Sequence, residues 1–227
     1  MTPADDPNSS NAETAGPKRT RRWTTWEPAI DSAIVAILAV ASLAAAWSAY
    51  QANLWNGEQS AKYAQASSLR IQSASQTALA HQLTIIDVTT FTNFVNAYAQ
   101  GNTKLADFYV ARFRPAFLPA FNAWIATSPL TNADAPPSPF AMAEYALPES
   151  AKADQLEADA GDTFAEGQKD NDRSDDYVLN TVILATVLFF CGIAPRVRWI
   201  PARMALVAIA CVLLVVGLFN VATYPIA

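Results

Sequence analysis

The polar chemistry of this chain is concentrated in one acidic stretch: Asp154, Glu157, Asp159, Asp162, Glu166, Asp170, Asp172, Asp175 and Asp176. Spacings of three and four put Asp159, Asp162, Glu166 and Asp170 on one face of a helix. Repeated around a ring of subunits, Asp172, Asp175 and Asp176 would form an acidic vestibule that concentrates cations above a pore. The commoner use of such a run is a solvated face, and its negative charge also helps to fix membrane topology. No loop of alternating oxygen ligands accompanies it, so calcium is not expected.

Other reactive side chains are few. His81 is the single histidine, which excludes any site needing two imidazoles. His81 and Asp87 stand six residues apart; on a helix they point about 120° away from each other, which is no catalytic pair. No serine sits in a recognisable nucleophile turn. Cys191 and Cys211 both fall in apolar segments, so neither a disulfide framework nor a four-cysteine zinc site is expected. No catalytic residue, cofactor or metal site is therefore expected, and enzyme is the least favoured class. The net charge of -5 leaves no basic surface for a nucleic acid.

These residues must be positioned by membrane helices. Residues 32–49 carry no charge, nor do 177–194 or 204–222. A run of 18 residues rises roughly 27 Å, close to the hydrocarbon thickness of a thin bilayer. Trp23 and Trp26 flank the first run on one side, Trp47 and Tyr50 on the other, as rings at headgroup depth do. Lys18, Arg19, Arg21 and Arg22 precede it, and Arg196, Arg198 and Arg203 lie between the second and third. Short basic segments stay inside, so three spans run N-in, C-out. Cleavage near Ala44-Ala45-Ala46 is not expected, because the basic leader is long and helix-forming sequence continues unbroken beyond Tyr50.

The expected order is a disordered leader with a basic flank (1–27), a first span (28–50), an outer helical domain (51–176), a second span (177–194), a basic loop (195–203) and a third span (204–224). The first span is predicted to continue outward as one long helix, ending at Gly101-Asn102, with Leu79, Leu83, Ile86, Phe94 and Tyr98 as its apolar stripe. A second helix starts near Lys104. Phe113, Phe117 and Phe121 recur every four residues, and Pro115 and Pro119 demand a kink or restart near Arg114. These rings are read as a core, with Arg112 and Arg114 beside them able to meet headgroups or a partner. Residues 128–140 read as loop. From Glu149 a helix leads into the second span, with Ala153, Leu156, Ala160, Phe164, Gly167 and Ser174 as a narrow stripe. Its natural partner is the long helix, with Ala52, Ala66 and Ala74. The fold expected is all-α: three transmembrane helices, the first two extended into an antiparallel extracytoplasmic stalk and cap.

Polar residues gather at the outer ends of the spans: Ser48, Asn180, Thr181, Asn220 and Thr223. Asn180, Thr181 and Asn220 could line a water-filled path. More often such groups bond between packed helices, at a net worth of roughly 0.6 kcal/mol. No charge occupies the centre of a span, which disfavours a proton relay. Asp31, at the inner end of the first, can reach water or pair with Arg22.

DDYVLNTVILATVLFFCGIAP (175–195), preceded by FAEGQKDNDRS, resembles a pattern in uncharacterised bacterial three-span membrane proteins with a helical extracytoplasmic domain. The Ala/Gln/Ser-rich AYQANLWNGEQSAKYAQASSLR (49–70) belongs to the same resemblance. It implies a bacterial inner-membrane protein and no activity. The function expected is that of an oligomeric structural or interaction protein, self-associating or bound to an envelope partner. Small residues at Ala41, Ala45 and Ala49, and at Ser42 and Ala46, suit helix association. The alternative is a cation-conducting oligomer with the acidic vestibule above.

Overall fold

The structure, a computed structural model, describes residues 27–129 and 131–227. The leader and basic flank lie outside them up to residue 26, as do Arg22, Trp23 and Trp26. The described residues are helical, with no strand among them. In order they form α1 (Glu27–Ala99), α2 (Thr103–Val110), α3 (Leu118–Ala126), α4 (Pro148–Ile193) and α5 (Ile200–Thr223). Helices α1, α4 and α5 are each long and apolar enough to cross a membrane, as in a multi-pass membrane protein.

The chain divides into two compact units. In the first, α1 up to Ala45 packs with Val182–Asn220. Ile34, Ala41, Val187, Cys191, Ala194 and Ala210 are its buried centre. Val35, Leu43, Phe189, Val212 and Val215 face outward, the arrangement of helices whose solvent is hydrocarbon. Ala41 is wholly consumed inside this unit, so the expected Ala41/Ala45/Ala49 association face is not free as a whole; Ser42 and Ala46 remain exposed. Asp31 pairs with Arg203, because the α4–α5 turn brings that guanidinium to the start of α1; the pairing expected with Arg22 falls outside the described residues.

The second unit contains α1 from Ala46, α4 up to Thr181, and everything between. Here α1 and α4 run antiparallel at close approach. Ser73 Oγ donates to the Ala153 carbonyl at 2.9 Å. Ser174 Oγ donates to the Ala52 carbonyl at 3.0 Å. Between these two pins, Tyr63 stacks on Phe164 with centroids 4.9 Å apart. Hydroxyl-to-backbone contact requires small residues, and Ala66, Ala80, Ala153 and Ala160 supply them. Ala74, expected on this face, is exposed.

The buried face of α1 repeats every seven residues: Ala41, Ser48, Trp55, then Ala66, Ser73, Ala80, Asp87 and Phe94. Seven-residue spacing keeps one seam against a partner, and the eleven-residue interval from Trp55 to Ala66 is a four-residue stutter that locally unwinds the pair. The apolar stripe expected over 79–98 is corrected by this: Leu79, Ile86 and Tyr98 are 40%, 48% and 50% exposed. Close approach selects the small residues, and the larger ones are turned away.

Gly167 sits opposite the stutter, where a Cβ would lie 2.7 Å from Tyr63 Cε1. At Gly161 a Cβ would meet nothing within 4 Å. Gly161→Ala should therefore gain about 1 kcal/mol of helix propensity. Gly167→Ala should forfeit that gain by pushing the ring off Phe164. Thermal denaturation followed by circular dichroism separates them, and equal gains would contradict this packing.

Gly101, at φ +71°, ends α1. Asn102 then caps α2 by accepting from the Leu105 amide at 3.1 Å. The break expected near Arg114 is present: α2 stops at Val110 and α3 begins at Leu118. Around it Phe94, Phe113, Phe117, Phe121 and Trp124 form one buried cluster, joined by Phe91, Phe140 and Tyr145.

Candidate functional site

Asp87 is the most deeply buried charge of the aromatic region, with no solvent exposure of its side chain. It projects from α1 toward the α2–α3 break, where Pro115 forbids a continuous helix and frees Arg114 to turn inward. Arg114 Nε donates to Asp87 Oδ1 at 2.9 Å, and a terminal guanidinium nitrogen donates to Oδ2 at 2.7 Å. Tyr145 Oη donates to Oδ2 at 3.2 Å and lies 3.3 Å from Thr84 Oγ1. The hydrogen bond to Asp87 raises the Arg114 pKa above its ordinary value. Burial pushes the Tyr145 phenol up. All the partners are already committed to one another, so the network is built to hold elements together. Arg114 is thus not free to meet headgroups, whereas Arg112 lies 3.4 Å over the Phe108 ring. His81 is exposed on another face of α1.

A second network lies at the stutter. Asp170 is buried, with Lys62 Nζ at 2.9 Å from one oxygen and an Arg173 guanidinium nitrogen at 2.9 Å from the other. The buried Asp170 carboxylate beside it raises the Lys62 ammonium pKa. Arg173 also covers the Trp55 ring at 4.5 Å. Asp170 therefore leaves the face expected to hold Asp159, Asp162 and Glu166, which are exposed. The lysine of α1 draws it into the helix interface.

Asp172, Asp175 and Asp176 are exposed, and Asn171 Nδ2 donates to Asp175 Oδ2 at 3.2 Å. Asn180 is fully buried, its amide donating to Ser48 Oγ at 3.0 Å, so it faces the chain's own interior. Thr181 donates to the Tyr177 carbonyl at 3.0 Å. Asn220 is half-buried on α5. Among the described residues no three His, Cys, Asp or Glu side chains gather as a metal site requires.

Two further features carry no formal charge on their surface. One is a cavity of about 610 Å³ between the end of α1 and α3, walled by Phe91, Phe94 and Trp124. The other is the outer face of α1. Between Ile71 and Ala99 the only formal charge is Asp87, which is buried. Ile71, Ala74, Ala78, His81, Ile85, Val88 and Thr92 follow one another at three and four residues, all exposed. At 100° per residue they lie roughly 100–160° around the axis from the face that meets α4. Neighbouring hydroxyls are satisfied within the helix: Thr77, Thr84, Thr89 and Thr92 donate to carbonyls four residues back. The spacing was present in the sequence, but only the structure shows that α4 occupies a different face.

Comparison with protein-family models, with curated proteins and with solved structures found no match to this chain.

Proposed function

We propose that the chain is a non-enzymatic protein of the bacterial inner membrane that works by self-association. In this reading it presents the α1–α4 pair as a stalk and the aromatic region as a cap on the extracytoplasmic side. The basic residues at 18–22 and 196–203 support that orientation, and the resemblance of residues 164–195 and 49–70 to bacterial three-span proteins supports the compartment.

The observation that carries self-association is the uncharged, heptad-spaced outer face of α1. Such a seam costs little to dehydrate, because its threonine hydroxyls are already bonded to the helix. The outer surface of α4 is the opposite: Glu149 to Asp176 holds ten acidic and three basic residues, and repels its own copy. Two copies inserted with one topology run their α1 helices in the same direction, so residue 85 of one meets residue 85 of the other. Ile85→Cys should form an intermolecular disulfide in membranes, while Asp159→Cys on α4 should not. Equal cross-linking at both, or none at Ile85, would defeat the reading.

A second reading draws on Asp172, Asp175 and Asp176, whose exposure leaves them available to cations. It is the cation-conducting oligomer, which needs a ring of subunits around a pore. Native mass spectrometry decides between them: a dimer supports the α1 seam, and a closed ring of four or more supports conduction.

A further inference from the structure

The cavity at the end of α1 is unused by anything described above. Its volume of about 610 Å³ falls within the range of roughly 300–1,000 Å³ typical of small-molecule sites. It would hold about twenty waters at roughly 30 Å³ each, yet its walls offer them few partners. Phe91, Phe94 and Trp124 present ring surface, and the Trp124 indole N–H is already spent on the Pro136 carbonyl at 2.8 Å. At the mouth, Val95, Tyr98 and Ile125 are 41%, 50% and 42% exposed. Leaving that much apolar surface to water is unfavourable, and covering it is worth about 25 cal/mol per Å².

The lining also says what the occupant is not. No Lys, Arg, His, Asp or Glu contributes to it. Arg114, the basic residue of the aromatic region that turns inward, is closed on Asp87. A carboxylate or phosphate inside would therefore be desolvated without a cation. The hydroxyls of Ser128, Thr131 and Tyr98 are uncharged groups able to meet a polar end. A volume of about 610 Å³ is too small for the two chains and headgroup of a bilayer lipid, and the apolar walls fit one hydrocarbon chain.

We infer that this cavity binds a neutral, single-chain hydrocarbon molecule carrying an uncharged polar end, such as a long-chain alcohol. The site is independent of self-association through α1. The full chain, held in amphipol, is exposed to a diazirine analogue of hexadecanol, irradiated, digested and mapped by mass spectrometry. Labels are expected on 91–98 and 124–137, and excess plain hexadecanol should compete them away. Val95→Trp and Ile125→Trp each place an indole at the mouth from a part-exposed position, and each should cut that labelling about tenfold. The diazirine analogue of palmitic acid, charged at neutral pH, should label the cavity more weakly than the alcohol. Labels confined to the spanning segments, or cavity labels that resist both competition and substitution, would overturn the site. Equal labelling by acid and alcohol would overturn its neutrality.

Discussion

Arg114→Met should destabilise the aromatic region by about 3–5 kcal/mol, the usual cost of stranding a buried charge. The cost arises at Asp87, which has no exposure and would lose both guanidinium bonds. The Tyr145 hydroxyl alone cannot replace them. Arg114→Lys keeps the charge but not the planar fork, and should lose less. Replacing both partners, Asp87→Leu with Arg114→Met, should recover most of the loss, since no charge remains to be buried. Hydrogen exchange at the amides of 87–145 gives the measurement directly, because local opening there is what the pair resists. If Arg114→Met left those exchange rates unchanged, or if the double variant were worse than the single one, the pair would not be what closes this region.

Ile85→Glu should abolish self-association while leaving the single chain folded. Ile85 is 64% exposed, so a carboxylate there is solvated in the monomer. In a parallel pair the two carboxylates would face each other across a dehydrated seam. Burying two like charges costs several kcal/mol, which is about a hundredfold or more in affinity. Asp159→Asn on α4 also changes the surface charge by one unit but should leave the assembly intact. Sedimentation in detergent at fixed protein concentration reads both, and an Ile85→Glu variant that still assembled would remove the seam from consideration.

What the sequence disclosed, and what it hid, follow from how many residues a feature averages over. The spans were legible because eighteen or more uncharged residues leave a signal that no single side chain controls. The buried stripe of α4 was legible too: Ala153, Leu156, Ala160, Gly167 and Ser174 are all buried, and their spacing alone selects that face. Phe113, Phe117 and Phe121 could be read as core because three large rings at regular spacing have few other uses. The face of α1 was legible only in part: Ala52 and Ala66 are buried as expected, but Ala74 is exposed. From Ile71 to Ala99 uncharged residues surround that helix on nearly every side, so hydropathy offers little contrast between faces, and Leu79 and Ile86 misdirect the eye. Asp170 misled for a related reason, since its spacing from Glu166 and Asp162 is that of a solvated face. The lysine at position 62, more than a hundred residues earlier, is what draws it into the interface with α1. The pairing of Asp87 with Arg114 and Tyr145 is equally non-local, and leaves no periodic trace. Nor could any candidate site be assembled from the sequence, because a cavity is a shape and has no residue type of its own.

The contacts along α1 and α4 also limit how force can pass between the two helices. Ser73 and Ser174 grip opposite backbones near the two ends of their contact, and Lys62 meets Asp170 between them. A piston stroke of one turn, roughly 5.4 Å, would carry Asp170 away from its lysine and set each serine against the wrong carbonyl. The pair is therefore stiff to axial shear, and a pull on either helix is borne by both. Twisting is different. Around the stutter the supercoil is already relaxed, and a small rotation there preserves every one of those three grips.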